Sequence, residues 1–203
     1  AFVVFGKSST AAVPLANVAT GTGGFWIKGE TAHDYAGASV SGGGDVNGDG
    51  LADIIVGAPE AKKNEPGSAE QVGKGYVVLG KTATTALDLE NVRSGLNGFS
   101  VLGADAYTYT GRSVSGVGDM DGDGFDDVLI GFPDTDYEGV NNAGKAYILF
   151  SPLAVPLSVG MIDQASANPI RTGRVFIERT DGAVGFDSAF AGAEANVAVA
   201  IAQ

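Results

Sequence analysis

Asp45-Val46-Asn47-Gly48-Asp49-Gly50-Leu51-Ala52-Asp53-Ile54-Ile55-Val56-Gly57-Ala58-Pro59 has a counterpart 74 residues later. That counterpart reads Asp119-Met120-Asp121-Gly122-Asp123-Gly124-Phe125-Asp126-Asp127-Val128-Leu129-Ile130-Gly131-Phe132-Pro133. The same register runs upstream without a gap. Tyr35-Ala36-Gly37-Ala38-Ser39-Val40-Ser41-Gly42 falls on Tyr109-Thr110-Gly111-Arg112-Ser113-Val114-Ser115-Gly116, and Phe2-Val3-Val4-Phe5-Gly6-Lys7 falls on Tyr76-Val77-Val78-Leu79-Gly80-Lys81. Downstream, Gly144-Lys145-Ala146-Tyr147-Ile148-Leu149-Phe150 matches Gly73-Lys74-Gly75-Tyr76-Val77-Val78-Leu79 after a three-residue deletion. Agreement over this length marks an internal repeat.

Each repeat divides into four short segments rich in Val, Ile and aromatics and bounded by Gly, Pro, Asn or Asp, the composition of strands. In the first unit these are Gly37–Gly43, Asp53–Gly57, Gly75–Leu79 and Phe99–Gly103. The unbroken apolar run Ile54-Ile55-Val56 predicts a strand covered on both faces. Residues 86–95 carry weak amphipathic spacing at Asp88, Leu89 and Val92, enough for a short helical turn. A repeated four-stranded unit is the element of a β-propeller. The expected fold is therefore all-β, with propeller-type blades of four antiparallel strands: about two full blades plus partial ones. The repeat region covers 1–180, with blades near 37–104 and 111–180 and residues 1–30 giving outer strands of a partial blade. Arg174–Glu178 is expected as the outer strand of the second blade. Residues 181–203 diverge, although Ala195–Ala202 alternates in a strand-like way. Propellers close with about four to eight blades, so this set needs completion by further blades of a longer chain or by other copies of itself.

The loop within each unit follows Asp-x-(Asp/Asn)-x-Asp-Gly-x-x-Asp. Oxygen side chains recur at positions 1, 3, 5 and 9. Hard cations such as calcium take six to eight oxygens at about 2.3–2.6 Å, and a tight loop with alternate side chains turned inward supplies them. Leu51 and Phe125, at position 7, would offer a carbonyl oxygen. An EF-hand needs a bidentate Glu at position 12; here that position is Val56 or Ile130. The expected metal sites are Asp45, Asn47, Asp49, Leu51 and Asp53, and Asp119, Asp121, Asp123, Phe125 and Asp127, for two calcium ions. The second loop has four carboxylates, with Asp126 nearby, against three and an amide in the first. Ligand charge favours tighter calcium binding, so the second site is expected to be the tighter one.

These features resemble the FG-GAP repeats of integrin-alpha-like β-propellers. Tyr35-Ala36-Gly37 and Tyr109-Thr110-Gly111 stand where that family has Phe-Gly. Gly57-Ala58-Pro59 is its Gly-Ala-Pro, and Gly131-Phe132-Pro133 is a variant. The resemblance covers about residues 1–150. It implies calcium between the first two strands of each blade, an extracellular or cell-surface setting, and a non-enzymatic role in adhesion or in binding a protein or glycan ligand.

Composition agrees with a binding module. Of 203 residues, 24 are acidic and 12 basic, a net charge of -12. That disfavours nucleic acid, whose phosphates are met by Lys and Arg, and no run of about 18 apolar residues predicts membrane insertion. The chain has no cysteine and one histidine, His33, which removes thiol chemistry and leaves little for histidine-based catalysis. The expected function is thus non-enzymatic. Two other readings stand beside it: a structural subunit that polymerises by sharing strands or blades, and a propeller lectin or hydrolase. Asp134, Asp136 and Glu138 are the acids a hydrolase would offer, in a loop whose counterpart holds Glu60, Lys62 and Lys63. The chain begins at Ala1 without a basic-then-apolar leader, as expected after signal removal or for a piece of a longer chain.

Overall fold

The 74-residue register carries directly into the backbone of the computed structural model. The described residues are 1–63, 69–103, 106–136 and 140–151, together with the strand backbones at 174–180 and 183–185. The elements, in chain order, are β1 (Phe2–Val4), α1 (Leu15–Ala19), β2 (Gly24–Lys28), β3 (Ser39–Gly44), β4 (Asp53–Ala58), β5 (Lys74–Val78), β6 (Leu87–Asp88), α2 (Leu89–Arg93), β7 (Gly98–Leu102), β8 (Val114–Gly118), β9 (Asp127–Phe132), β10 (Lys145–Leu149), β11 (Arg174–Thr180) and β12 (Ala183–Gly185).

Strands β3, β4, β5 and β7 form an antiparallel meander, the strand order of a propeller blade. Each lies within two residues of the segment expected from sequence. A second sheet, in the order β8, β9, β10, β11 and β12, repeats the pattern with one strand more. Arg174–Thr180 pairs with β10 as expected, and the short β12, within the divergent segment 181–203, pairs antiparallel with β11. Ala195–Ala202 and Glu138 lie outside the described residues.

The N-terminal hairpin copies the outer part of the first sheet pair for pair. Val4 faces Gly24 and Phe2 faces Trp26, as Val78 faces Gly98 and Tyr76 faces Ser100. The intervening helices are also repeat mates: α1 stands 74 residues before α2. The sequence reading found the second helix and missed the first. Asp88 caps α2 by accepting from the Glu90 N–H at 3.1 Å, with Arg93 in the last turn, both favourable at helix ends. At the matching place α1 has Pro14 and no side-chain cap. Both helices bury the same residue, Val18 or Val92.

Alternation along the strands sends successive side chains to opposite faces. Val56, Tyr76 and Val78 join Phe25, Ile27, Leu89 and Val92 in the layer between the hairpin and the first sheet. Their neighbours Ile55 and Val77 pack with Val128, Ile130 and Phe132 between the first and second sheets. Both faces of β4 are therefore buried, which is why its sequence is a continuous apolar run. On the far side of the second sheet Leu129 packs with Ile148 and Phe150.

The inner strands β3 and β8 lie side by side. Ser39 Oγ donates to the Gly111 carbonyl at 2.7 Å, and Ser41 Oγ accepts from the Gly116 N–H at 3.2 Å. The approach is so close at Gly57 that a Cβ there would sit 1.9 Å from the Gly111 oxygen. One ionic cluster ties the hairpin to the first sheet: Glu30 receives the Tyr76 hydroxyl and pairs with Lys74 and Arg93, each at 2.8 Å. Lys74 is 2% exposed. No helix among the described residues is long and apolar enough to cross a membrane.

Candidate metal centre

Both acidic loops connect the first two strands of a sheet, Asp45–Ala52 leading from β3 into β4 and Asp119–Asp126 from β8 into β9. Each begins where an antiparallel ladder shifts register, at Gly42/Gly44 and Gly116/Gly118. The two loops share a hydrogen-bond pattern. The position-1 carboxylate turns back over the loop: Asp45 accepts from the amides of Asp49 at 3.0 Å and Gly50 at 2.8 Å. Asp119 accepts from Gly122, Asp123 and Gly124 at 2.7, 3.1 and 2.9 Å. The position-5 acids accept from the amide two residues on, Asp49 from Leu51 and Asp123 from Phe125. These bonds hold the carboxylates on the inner side of the turn.

The position-9 acids are the buried ones, Asp53 at 1% and Asp127 at 0% exposure. Both of their oxygens already accept backbone amides. Asp53 takes Val46 N–H at 2.8 Å and Gly80 N–H at 2.6 Å. Asp127 takes Met120 N–H at 2.8 Å and Ser151 N–H at 2.9 Å. The acid thus stitches the start of its loop to the chain just past the third strand of the sheet. Burial pushes both carboxyls above the ordinary aspartate range, with the donated amides pulling the other way. Burial also raises the Asp121 carboxyl, and the neighbouring Asp123 and Asp119 charges add to the rise.

The loops differ in convergence. Asp119, Asp121 and Asp127 each bring a carboxylate oxygen within 4.8 Å of the others. Among the described residues the first loop holds no such set of three acids. There the position-3 residue is Asn47, whose Nδ2 donates to Asp49 Oδ2 at 2.8 Å, a bond that an aspartate could not make. Two oxygens on opposite sides of one calcium ion lie about 4.8 Å apart, so the spacing in the second loop suits a single hard cation, and the all-oxygen donor set suits calcium over softer metals.

One acid lies elsewhere than the sequence reading placed it. Asp126 does not join Asp119, Asp121 and Asp127. Its Oδ2 accepts from the Asp45 N–H at 2.8 Å, and its own N–H donates to the Asp45 carbonyl at 3.2 Å. It belongs structurally to the first loop. The only trace of this in the sequence is that its repeat mate is Ala52. The two-pronged role of Asp53 and Asp127 was also invisible, because its partners Gly80 and Ser151 donate through backbone. His33 is exposed and stands in the left-handed backbone region.

Comparison with known proteins bears on these loops. The family model described as FG-GAP repeat matches residues 36–78 and 110–149, and each match contains one acidic loop. Integrin alpha-PS2 of Drosophila melanogaster is 32% identical over 144 residues, 66% of this chain and 9% of that protein. Integrin alpha-5 of Xenopus laevis is 36% identical over 124 residues, 60% of this chain and 10% of its own length. Integrin alpha-IIb of Homo sapiens is 29% identical over 167 residues, 79% of this chain and 14% of its own. The chain thus spans only a small part of the curated relatives it matches. With two matched repeats, each built on the same strand–acidic loop–strand corner, the chain carries FG-GAP repeats like those of integrin alpha subunits.

Proposed function

We propose that this chain is part of an extracellular, non-enzymatic β-propeller that serves adhesion or ligand binding and whose blades are fastened by calcium. Asp119, Asp121, Asp123, the Phe125 carbonyl and Asp127 hold one ion. Asp45, Asn47, Asp49, the Leu51 carbonyl and Asp53 hold the other. The observation that carries the reading is the convergence of Asp119, Asp121 and Asp127 inside a matched FG-GAP repeat. A bound cation supplies charge compensation for carboxylates that would otherwise repel. The chain's own residues do the rest: Asp53 and Asp127 clamp each loop to its sheet, and the amides of positions 4 to 7 aim the remaining carboxylates inward.

The test is thermal unfolding in chelator, in millimolar calcium and in millimolar magnesium. A ligand that binds only the native state stabilises it. The melting temperature should fall in chelator and be restored by calcium more than by magnesium; equal melting in all three removes calcium from the account.

A second reading, a subunit that polymerises by sharing strands, draws on the N-terminal hairpin. Its strand residues Phe2 and Val4 are each 45% exposed. Light scattering separates the two. A defined oligomer or fibre in calcium that dissociates in chelator makes assembly the function. A monomer points to completion by further blades and to a ligand on the loop faces.

A further inference from the structure

We infer that the two loops are coupled through Asp126, so that cation binding in the second loop tightens cation binding in the first. This rests on the calcium reading above and adds to it a positioning residue and a direction.

Asp126 lies between Phe125 and Asp127, two of the residues assigned to the second site. Its side chain and backbone nevertheless bracket Asp45, the first residue of the other loop, with bonds of 2.8 and 3.2 Å to the Asp45 N–H and carbonyl. Phe125 reaches across as well, since a Cβ on Gly48 would lie 2.4 Å from its ring. Gly44, just before the first loop, has φ +73, and a Cβ there would sit 2.0 Å from Asp126 Oδ2. The first loop is therefore shaped around two consecutive residues of the second. The matching glycines Gly118 and Gly122 show no such neighbour within 4 Å.

A loop whose Phe125 carbonyl and Asp127 carboxylate are fixed by a cation holds Asp126 fixed between them. Asp126 in turn fixes the backbone of Asp45, whose carboxylate organises the Asp49 and Gly50 amides. Ordering the second loop thus removes part of the ordering cost of the first, and by linkage the effect is reciprocal. Direct electrostatics has the opposite sign, because a cation in one loop repels a cation in the other. Positive coupling is accordingly diagnostic of the mechanical route.

The experiment is a calcium titration of the full chain followed by amide NMR, with Gly50 and Gly124 reporting the first and second loops separately. In the parent, Asp121→Ala should empty the second site and weaken the first by about fivefold or more, the lower end of typical coupling. In an Asp126→Ala background, which installs the residue found at position 52, Asp121→Ala should change the first site by less than about twofold. An unchanged or tighter first site in Asp121→Ala overturns the coupling. Full coupling persisting without Asp126 overturns its role. Should Asp126→Ala not fold, Asp126→Asn takes its place: a neutral acceptor makes a weaker bond than a charged one, so coupling must fall below that of the parent, and undiminished coupling refutes the inference. If neither Gly50 nor Gly124 responds to calcium in the parent, the calcium reading itself has failed, a result distinct from two sites that bind independently.

Discussion

Asp53→Ala, measured in chelator, isolates what the position-9 acid does without any ion. The carboxylate accepts from Val46 N–H at 2.8 Å and Gly80 N–H at 2.6 Å, and it is 1% exposed. Hydrogen bonds to charged groups contribute about 1.5–3 kcal/mol each, so losing two removes about 3–6 kcal/mol. Against this, alanine no longer buries a charge whose pKa is raised by desolvation. The expected net loss is about 2–4 kcal/mol, a large share of a typical domain stability of about 5–15 kcal/mol. The control is Asp49→Ala. Asp49 is exposed and accepts from Leu51 N–H and from Asn47 Nδ2, each at 2.8 Å, donors that water can replace at the surface, so its loss should stay below about 1 kcal/mol. Urea unfolding of both variants and the parent, each in chelator and in calcium, gives the comparison. In chelator Asp53→Ala should be far the weaker; in calcium both should lose the ion's added stability. If the two variants unfold alike in chelator, Asp53 is a ligand and nothing more, and the stitch between loop and sheet has no energetic weight.

The pH dependence follows from the raised carboxyls of Asp53, Asp121 and Asp127. A carboxyl raised in the folded state binds more protons there than when unfolded, so its contribution to stability grows as pH falls through the folded value and is complete below the unfolded value of about 3.9. Cation binding needs the deprotonated forms, so the gap in melting temperature between calcium and chelator should narrow from pH 7 to pH 5; a gap independent of pH contradicts this. Glu30→Gln breaks a cluster in which Lys74 is 2% and Glu30 10% exposed, and breaking such a buried pair costs about 3–5 kcal/mol, whereas Lys28→Ala, which removes the exposed pair with Asp88, should leave the urea midpoint essentially in place. Gly57→Ala sets a methyl 1.9 Å from the Gly111 oxygen and 2.2 Å from Ser39 Oγ; separating the two sheets should cost about 1–3 kcal/mol or more, while Gly42→Ala, which meets nothing within 4 Å, should be mild, and equal effects would show that the close approach is not tight.

What the sequence made legible is what the two repeats share. The apolar run at 54–56 and the acidic loop recur in register, the segment around Tyr76 recurs around Tyr147 after a three-residue deletion, and each placed its strand within two residues of the observed one. These positions encode contacts inside a repeat, and repetition makes such a signal visible twice. The helix α1 was missed although Leu15 and Val18 match Leu89 and Val92; Pro14 stands where its mate has Asp88, the polar residue of the spacing read there. Backbone donors such as Gly80 and Ser151 leave no mark in a pattern of side chains.

Where the repeats differ, the sequence reading was weakest, and the reason is geometric. Position 8 of the second acidic loop, Asp126, faces the preceding unit and not its own. For Asp126 that unit is the first sheet, with a loop at Asp45 to receive it. Asp126, read within one repeat as an extra charge beside the second site, is instead a contact between repeats, and its mate Ala52 has no side-chain acceptor to make one.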